Sequence, residues 1–201
     1  MVVNMEIQDN IGCISEHKAA LQIQLKEAYG RILYTFTAHN KLLRRLIKNN
    51  KRVKYAQIIL AAISTGGFLG SIISSAVITT WIGGVFATVL LALNLYFKEF
   101  NMSEQITQHR KATDELWLIR EEYISLLTDL TVLTDAEAIE RRDELRNKTY
   151  ELYKQNPKTD LKSYTETQKA LESEEEQFFT TEELNKMLPI HLRDGERTGG
   201  Q

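Results

Sequence analysis

YAQIILAAISTGGFLGSIISSAVITTWIGGVFATVLLALNLYF, residues 55–97, is a run of 43 positions without a single Asp, Glu, Lys, Arg or His. All 25 Lys and Arg and all 27 Asp and Glu residues of the 201-residue chain lie outside it. A helix rises about 1.5 Å per residue and a bilayer core is about 30 Å thick, so one span takes roughly 20 residues. The run therefore reads as two spans, about 55–75 and 78–97, joined by a tight turn. Of its 43 residues 28 are apolar, whereas the whole-chain hydrophobic fraction of 43% is that of an ordinary globular protein. The run begins too deep in the chain and is too long for the apolar core of a signal peptide. The competing reading is a helical hairpin buried in a soluble bundle, and the flanks argue against it.

Immediately ahead of the run stand Lys41, Arg44, Arg45, Lys48, Lys51, Arg52 and Lys54, with no acidic residue among them. The positive-inside bias puts this flank in the cytoplasm; two spans return the chain to the same side, where Lys98, Arg110 and Lys111 agree. Both termini are then expected to be cytoplasmic, in a multi-pass membrane protein. Tyr55 and Tyr96 suit the inner interface and Trp81 the outer one. Residues 1–54 hold ten basic and four acidic residues, net +6, and residues 98–201 hold 15 and 23, net −8. The seven-cation flank is expected to face anionic lipid, where each juxtamembrane cation contributes about 1 kcal/mol. Direct nucleic-acid binding is disfavoured, because no aromatic or Gly-rich recognition pattern is interleaved with the cations. The one cysteine, Cys13, excludes an intrachain disulfide and a cysteine-based zinc site.

Residues 13–54 read as one amphipathic helix running into the first span, with Leu21, Leu25, Ile32, Phe36, Leu43 and Ile47 on one face. A second leaves the membrane after Phe97, with Ile106, Leu116, Ile119, Tyr123, Leu126, Leu130 and Leu133 near one stripe. A tight hairpin delivers the two side by side, so they are expected to pack antiparallel. Thr134 and Glu137 form a capping-box pattern for a helix that stops before Pro157. A weaker, polar helix is expected within 158–178; its acidic cluster Glu172, Glu174, Glu175 and Glu176 reads as a solvated face, since a calcium loop needs another spacing and a Gly turn. Thr180 or Thr181 caps a short helix ending before Pro189, and 193–201 is expected to be a disordered tail. The fold class is all-α: a two-span transmembrane hairpin (55–97) continuous with long cytoplasmic antiparallel helices (1–54 and 98–192), plus shorter C-terminal helices.

Small residues recur at every fourth position of each span: Ala62, Gly66, Gly70 and Ser74 in the first, Thr80, Gly84, Thr88 and Ala92 in the second. In lipid, helices associate by close approach over such residues. The two ladders are therefore candidate seams, either inside the hairpin or between neighbouring subunits of a homo-oligomer. Asn94 cannot satisfy its amide on its own helix as readily as Ser or Thr can, and is expected to seek a partner or water. No ionisable group lies in either span, which argues against a proton relay or charge-coupled transport. Two spans cannot enclose a channel alone, so a pore needs an oligomer and would be lined by hydroxyls and backbone. His17, His39, His109 and His191 are scattered, with no acid or thiol in a motif beside them, and are expected to be surface or helix-packing residues. No phosphate-binding loop is present: the Gly clusters lack a following Lys-Ser/Thr. The chain is not expected to be an enzyme or to hold a cofactor.

The segment HRKATDELWLIREEYISLLTDL (His109 to Leu130), the basic NKLLRRLIKNNKRVKY (Asn40 to Tyr55) and the late TTEELNKMLP (Thr180 to Pro189) together resemble the SLATT family, two-span bacterial effector domains. The resemblance covers roughly residues 15–192. It implies an effector that oligomerises in the inner membrane and permeabilises it in an abortive antiphage response, alongside a nucleotide-signal-producing or reverse-transcriptase partner protein. No appended nucleotide-sensor domain is recognisable, so a partner or a ligand at the helical arms is the expected trigger. A membrane-anchored scaffold that recruits a soluble partner and a small regulatory subunit of a larger transporter are the alternatives.

Overall fold

The computed structural model describes residues 2–74, 77–174, 177–189 and 193, with side chains from residue 16 onward and without that of Ser74. It is all-helical: α1 (Val2–Ser74), α2 (Val77–Phe100), α3 (Met102–Asp129), α4 (Asp135–Gln155), α5 (Leu161–Glu172) and α6 (Thr181–Met187). Helix α1 has 73 residues, about 110 Å at the standard rise, and its sequence holds no Pro to interrupt the backbone ladder. One rigid rod thus carries the polar arm and the first apolar segment. The hairpin α1–α2 contains two stretches long and apolar enough to cross a membrane. Their most apolar windows are 0% and 6% buried, which disposes of a hairpin hidden in a soluble core.

The polar halves pack as expected, antiparallel. Leu21, Leu25, Ile32 and Phe36 of α1 meet Leu116, Ile119, Tyr123, Leu126 and Leu130 of α3, and Ala138, Leu145 and Leu152 of α4 close the core. Shielded positions on α1 advance in steps of four and three, alternating except at 42, 46 and 50, as in 21, 25, 28, 32, 35, 39, 42, 46, 50, 53, 57, 60, 64, 67 and 71. That spacing keeps one side of a helix turned to its partner. It also explains why Leu42 is buried while Leu43, expected on the stripe, is half-exposed.

The second strand of this seam is interrupted. In α2 the shielded positions are 79, 83, 86, 90, 93 and 97; continued unbroken they would reach 100, 104, 107 and 111, all of which are exposed. Instead α3 shields 102, 106, 109, 113 and 116. The change of phase falls at Asn101, which adopts the left-handed conformation (φ 32°). Asn tolerates it better than most residues, and its side chain donates to the Glu104 carboxylate. Helices α2 and α3 therefore follow one another directly through Asn101, with a change of phase between them.

Helix α4 opens with the expected capping box: Thr134 Oγ1 accepts from the Glu137 N–H at 3.3 Å, and the Thr134 N–H donates to Glu137 Oε2 at 2.9 Å. Thr134→Ala should lower the melting temperature of the polar bundle by a few degrees, read by circular dichroism. The polar helix expected within 158–178 is shorter, because Asp160 caps it by accepting from the Ser163 N–H at 2.8 Å. Of its acidic cluster, Glu175 and Glu176 lie outside the described residues, as do 194–201 of the expected tail. Helix α5 lies on α1 through the fully buried Ser163, Thr167 and Ala170, whose small side chains allow close approach.

Candidate membrane-active site

The closest approach of the two apolar helices is between Gly67 and Gly83. A Cβ at Gly67 would sit 3.1 Å from the Gly83 Cα and N and from the Thr79 carbonyl; one at Gly83 would sit 3.2 Å from the Phe68 N and the Ser64 carbonyl. These are backbone atoms, so hydrogen is the only side chain the crossing accepts without movement. Ser64 Oγ reinforces it by donating to the Gly83 carbonyl at 3.2 Å.

The four-step ladders are not this contact. Gly66 and Gly84 have nothing within 4 Å of a Cβ, and a Cβ at Gly70 would be in ordinary contact with Thr79 Cγ2 at 3.9 Å. Ala62, Thr80, Thr88 and Ala92 are exposed, and the Ser74 side chain lies outside the described ones. The reason is phase: a four-residue step advances about 400°, so a ladder of such steps drifts about 40° each time and leaves the partner helix. The shielded positions are instead the alternating 60, 64, 67, 71 and 79, 83, 86, 90. Thr80 and Gly84 instead flank an open groove of about 390 Å³, with Thr65, Phe68 and Ala87. Large apolar side chains of the hairpin are exposed, among them Ile73, Ile78 and Trp81.

Asn94 does have a partner. Its Oδ1 accepts from Gln57 Nε2 at 2.8 Å across the hairpin. Gln57 carried no signal by itself, since only the fold puts positions 37 residues apart face to face.

The basic flank divides. Arg45 turns away from the apolar end and clamps α5, pairing with Asp160, with Glu166 at 3.3 Å and with Ser163 Oγ at 3.1 Å. Burial alone would raise the Asp160 carboxyl, but the Ser163 hydroxyl and N–H together with Arg45 bring it down to about 2. Lys41 is half-buried and Arg44 exposed, and both are engaged by other groups. Lys48, Lys51, Arg52 and Lys54 are exposed and form no ion pair among the described residues. Lys54 and Lys98 line one groove of about 440 Å³ at the foot of the hairpin, with Gln57, Phe97 and Asn101.

Two of the histidines are brought together. His39 of α1 and His109 of α3 face each other at 3.0 Å between their Nδ1 atoms, each 4% exposed. His17 is exposed, and His191 lies outside the described residues. His39 and His109 are thus helix-packing residues, as expected, and the pairing across 70 residues is what the sequence pattern did not give.

The family model of the SMODS and SLOG-associating 2TM effector domain family 4 matches residues 21–183. The chain belongs to the SLATT family. No curated protein and no solved structure matches it. The SLATT match starts at Leu21, the first residue of the polar core, and ends at Glu183, in the first turn of α6. It includes the Gly67–Gly83 crossing, Arg45 with its α5 partners, and the histidine pair. With two apolar helices and a two-span effector domain, this SLATT chain is a membrane protein.

Proposed function

We propose that this protein is a non-enzymatic effector that oligomerises in the bacterial inner membrane and permeabilises it, both termini in the cytoplasm, within an antiphage system containing a nucleotide-signal-producing partner. The observation that carries the reading is the pair of unused small-residue faces. The hairpin closes over Gly67 and Gly83, leaving Gly66 on one helix and Gly84 on the other with open space beside them. In lipid such faces favour close association with another helix. The proposed orientation is supported by the exposed Lys48, Lys51, Arg52 and Lys54 on one side and by Trp81 at the opposite end. The polar bundle is read as the restraint and the hairpin as the working part.

A membrane-potential dye in bacteria expressing the protein tests this. The expected result is depolarisation by the wild type, at least tenfold less by Gly84→Leu, and undiminished membrane insertion of the variant. Depolarisation by Gly84→Leu equal to that by the wild type would sink the outward-face reading. A scaffold for a soluble partner is the second reading, favoured by the exposed Phe178, Phe179, Leu184 and Met187 around α6. It predicts that Phe179→Ser abolishes co-purification of a soluble protein and leaves any depolarisation intact.

A further inference from the structure

His39 and His109 stand where the two arms of the molecule are held together. α1 runs from His39 into the apolar segment at Tyr55 without a break, 16 residues or about 24 Å away. On the other arm, the left-handed Asn101 separates His109 from α2. Movement of α1 at His39 is therefore transmitted to its apolar half as by a rod, while α3 can part from α2 at a joint. We propose that the His39–His109 contact is an acid-sensitive latch, closed at neutral pH and opened by protonation, that joins the polar arms below the hairpin.

The chemistry follows from the geometry. With both rings neutral, one Nδ1–H donates to the lone pair of the other Nδ1, and the pair is satisfied without solvent. A first proton keeps that hydrogen bond but leaves a charge on a pair whose side chains are each 4% exposed. A second puts two N–H donors head to head and drives the helices apart. Burial, reinforced by the neighbouring His109, lowers His39 to about 4. Burial also lowers His109, against the opposing pull of the Asp160 carboxylate at the head of α5. Asp160 is itself held by Arg45 of α1. From α4 the facing titratable group is Tyr153, and from the loop after it Lys158; both line, with His39, a cavity of about 380 Å³ that gives protons a route. Glu115 of α3 reaches the same cavity through Asn156. Because both rings are lowered, the latch contributes fully above the ordinary value of about 6.5 and is lost as pH falls from there toward 4.

The latch rests on the proposed restraint only for its consequence, and its opening is measured separately. Spin labels at Lys48→Cys and Ser103→Cys, with Cys13→Ser, report the arm separation of the full chain in neutral-lipid nanodiscs by pulsed electron resonance. The wild type should show one narrow distance at about pH 7.5 and a growing longer population down to about pH 4. His39→Asn with His109→Asn keeps an amide hydrogen bond without a titrating group, and should hold the short distance throughout. If that pair fails to fold, His109→Asn alone should move the opening to lower pH. An unchanged wild-type distance over this range, or opening of the double Asn variant at the same pH as the wild type, would overturn the latch. An opened latch without depolarisation would instead count against the restraint.

Discussion

Gly83→Leu should separate the two apolar helices and lower the stability of the hairpin by about 3 kcal/mol, the upper part of the range for overpacking a close contact. A Cβ at this position meets the Phe68 N and the Ser64 carbonyl at 3.2 Å. Neither can rotate away as a flexible side chain would, so the helices must part and the Ser64 bond to the Gly83 carbonyl is lost. A disulfide between Gln57→Cys and Asn94→Cys, placed where the native side chains meet at 2.8 Å, reports the separation as slower cross-linking. Gly84→Leu is the control, since open space lies beside it, and should cross-link at the parental rate. The two adjacent glycines thus divide the roles: one tests the fold of the hairpin, the other what the hairpin meets. Equal cross-linking by both variants would refute the crossing.

Leu116→Ala should destabilise the polar bundle by about 3–4 kcal/mol and leave the hairpin assembled. Leu116 is wholly buried where α1, α3 and α4 converge, among Leu25, Ile32, Ile119 and Leu152. Truncation leaves a cavity that three helices with long, stiff side chains cannot collapse to fill. Thermal unfolding followed at 222 nm should shift downward, while the 57–94 cross-link forms as before. Under the restraint reading, the variant also depolarises cells without the activating signal; an unchanged membrane potential would separate the bundle from control of the hairpin.

Much of this architecture is readable along the chain because its causes are local. An uncharged run of 43 residues has no stable place in water, so membrane insertion follows from composition at one site. Thr134 with Glu137 and Thr180 with Glu183 cap the helices they precede through contacts three residues long. Pro157 and Pro189 end helices through their own rings. The membership of Leu116, Ile119, Tyr123 and Leu126 in the core follows from a period that needs no partner to be seen.

What needed the tertiary structure was phase and pairing. Whether Gly66 or Gly67 faces the second helix is a rotation of about 100°, decided by a seam extending over the whole of α1 and not by the small residues themselves. The single left-handed Asn101 resets that seam on the other arm, and no local pattern announces it. Arg45, one of seven cations on a flank expected to face lipid, belongs to α5 because Asp160 and Glu166 come to it from more than a hundred residues away. His39 and His109, unrelated in sequence, become one proton-sensitive unit by the same antiparallel return. The sequence alone thus determined that this is a membrane protein and which segments are helical, since burial in lipid and capping act over short stretches. The tertiary structure decided which side chains share a face, since helix phase is set by the sum of contacts along two long rods.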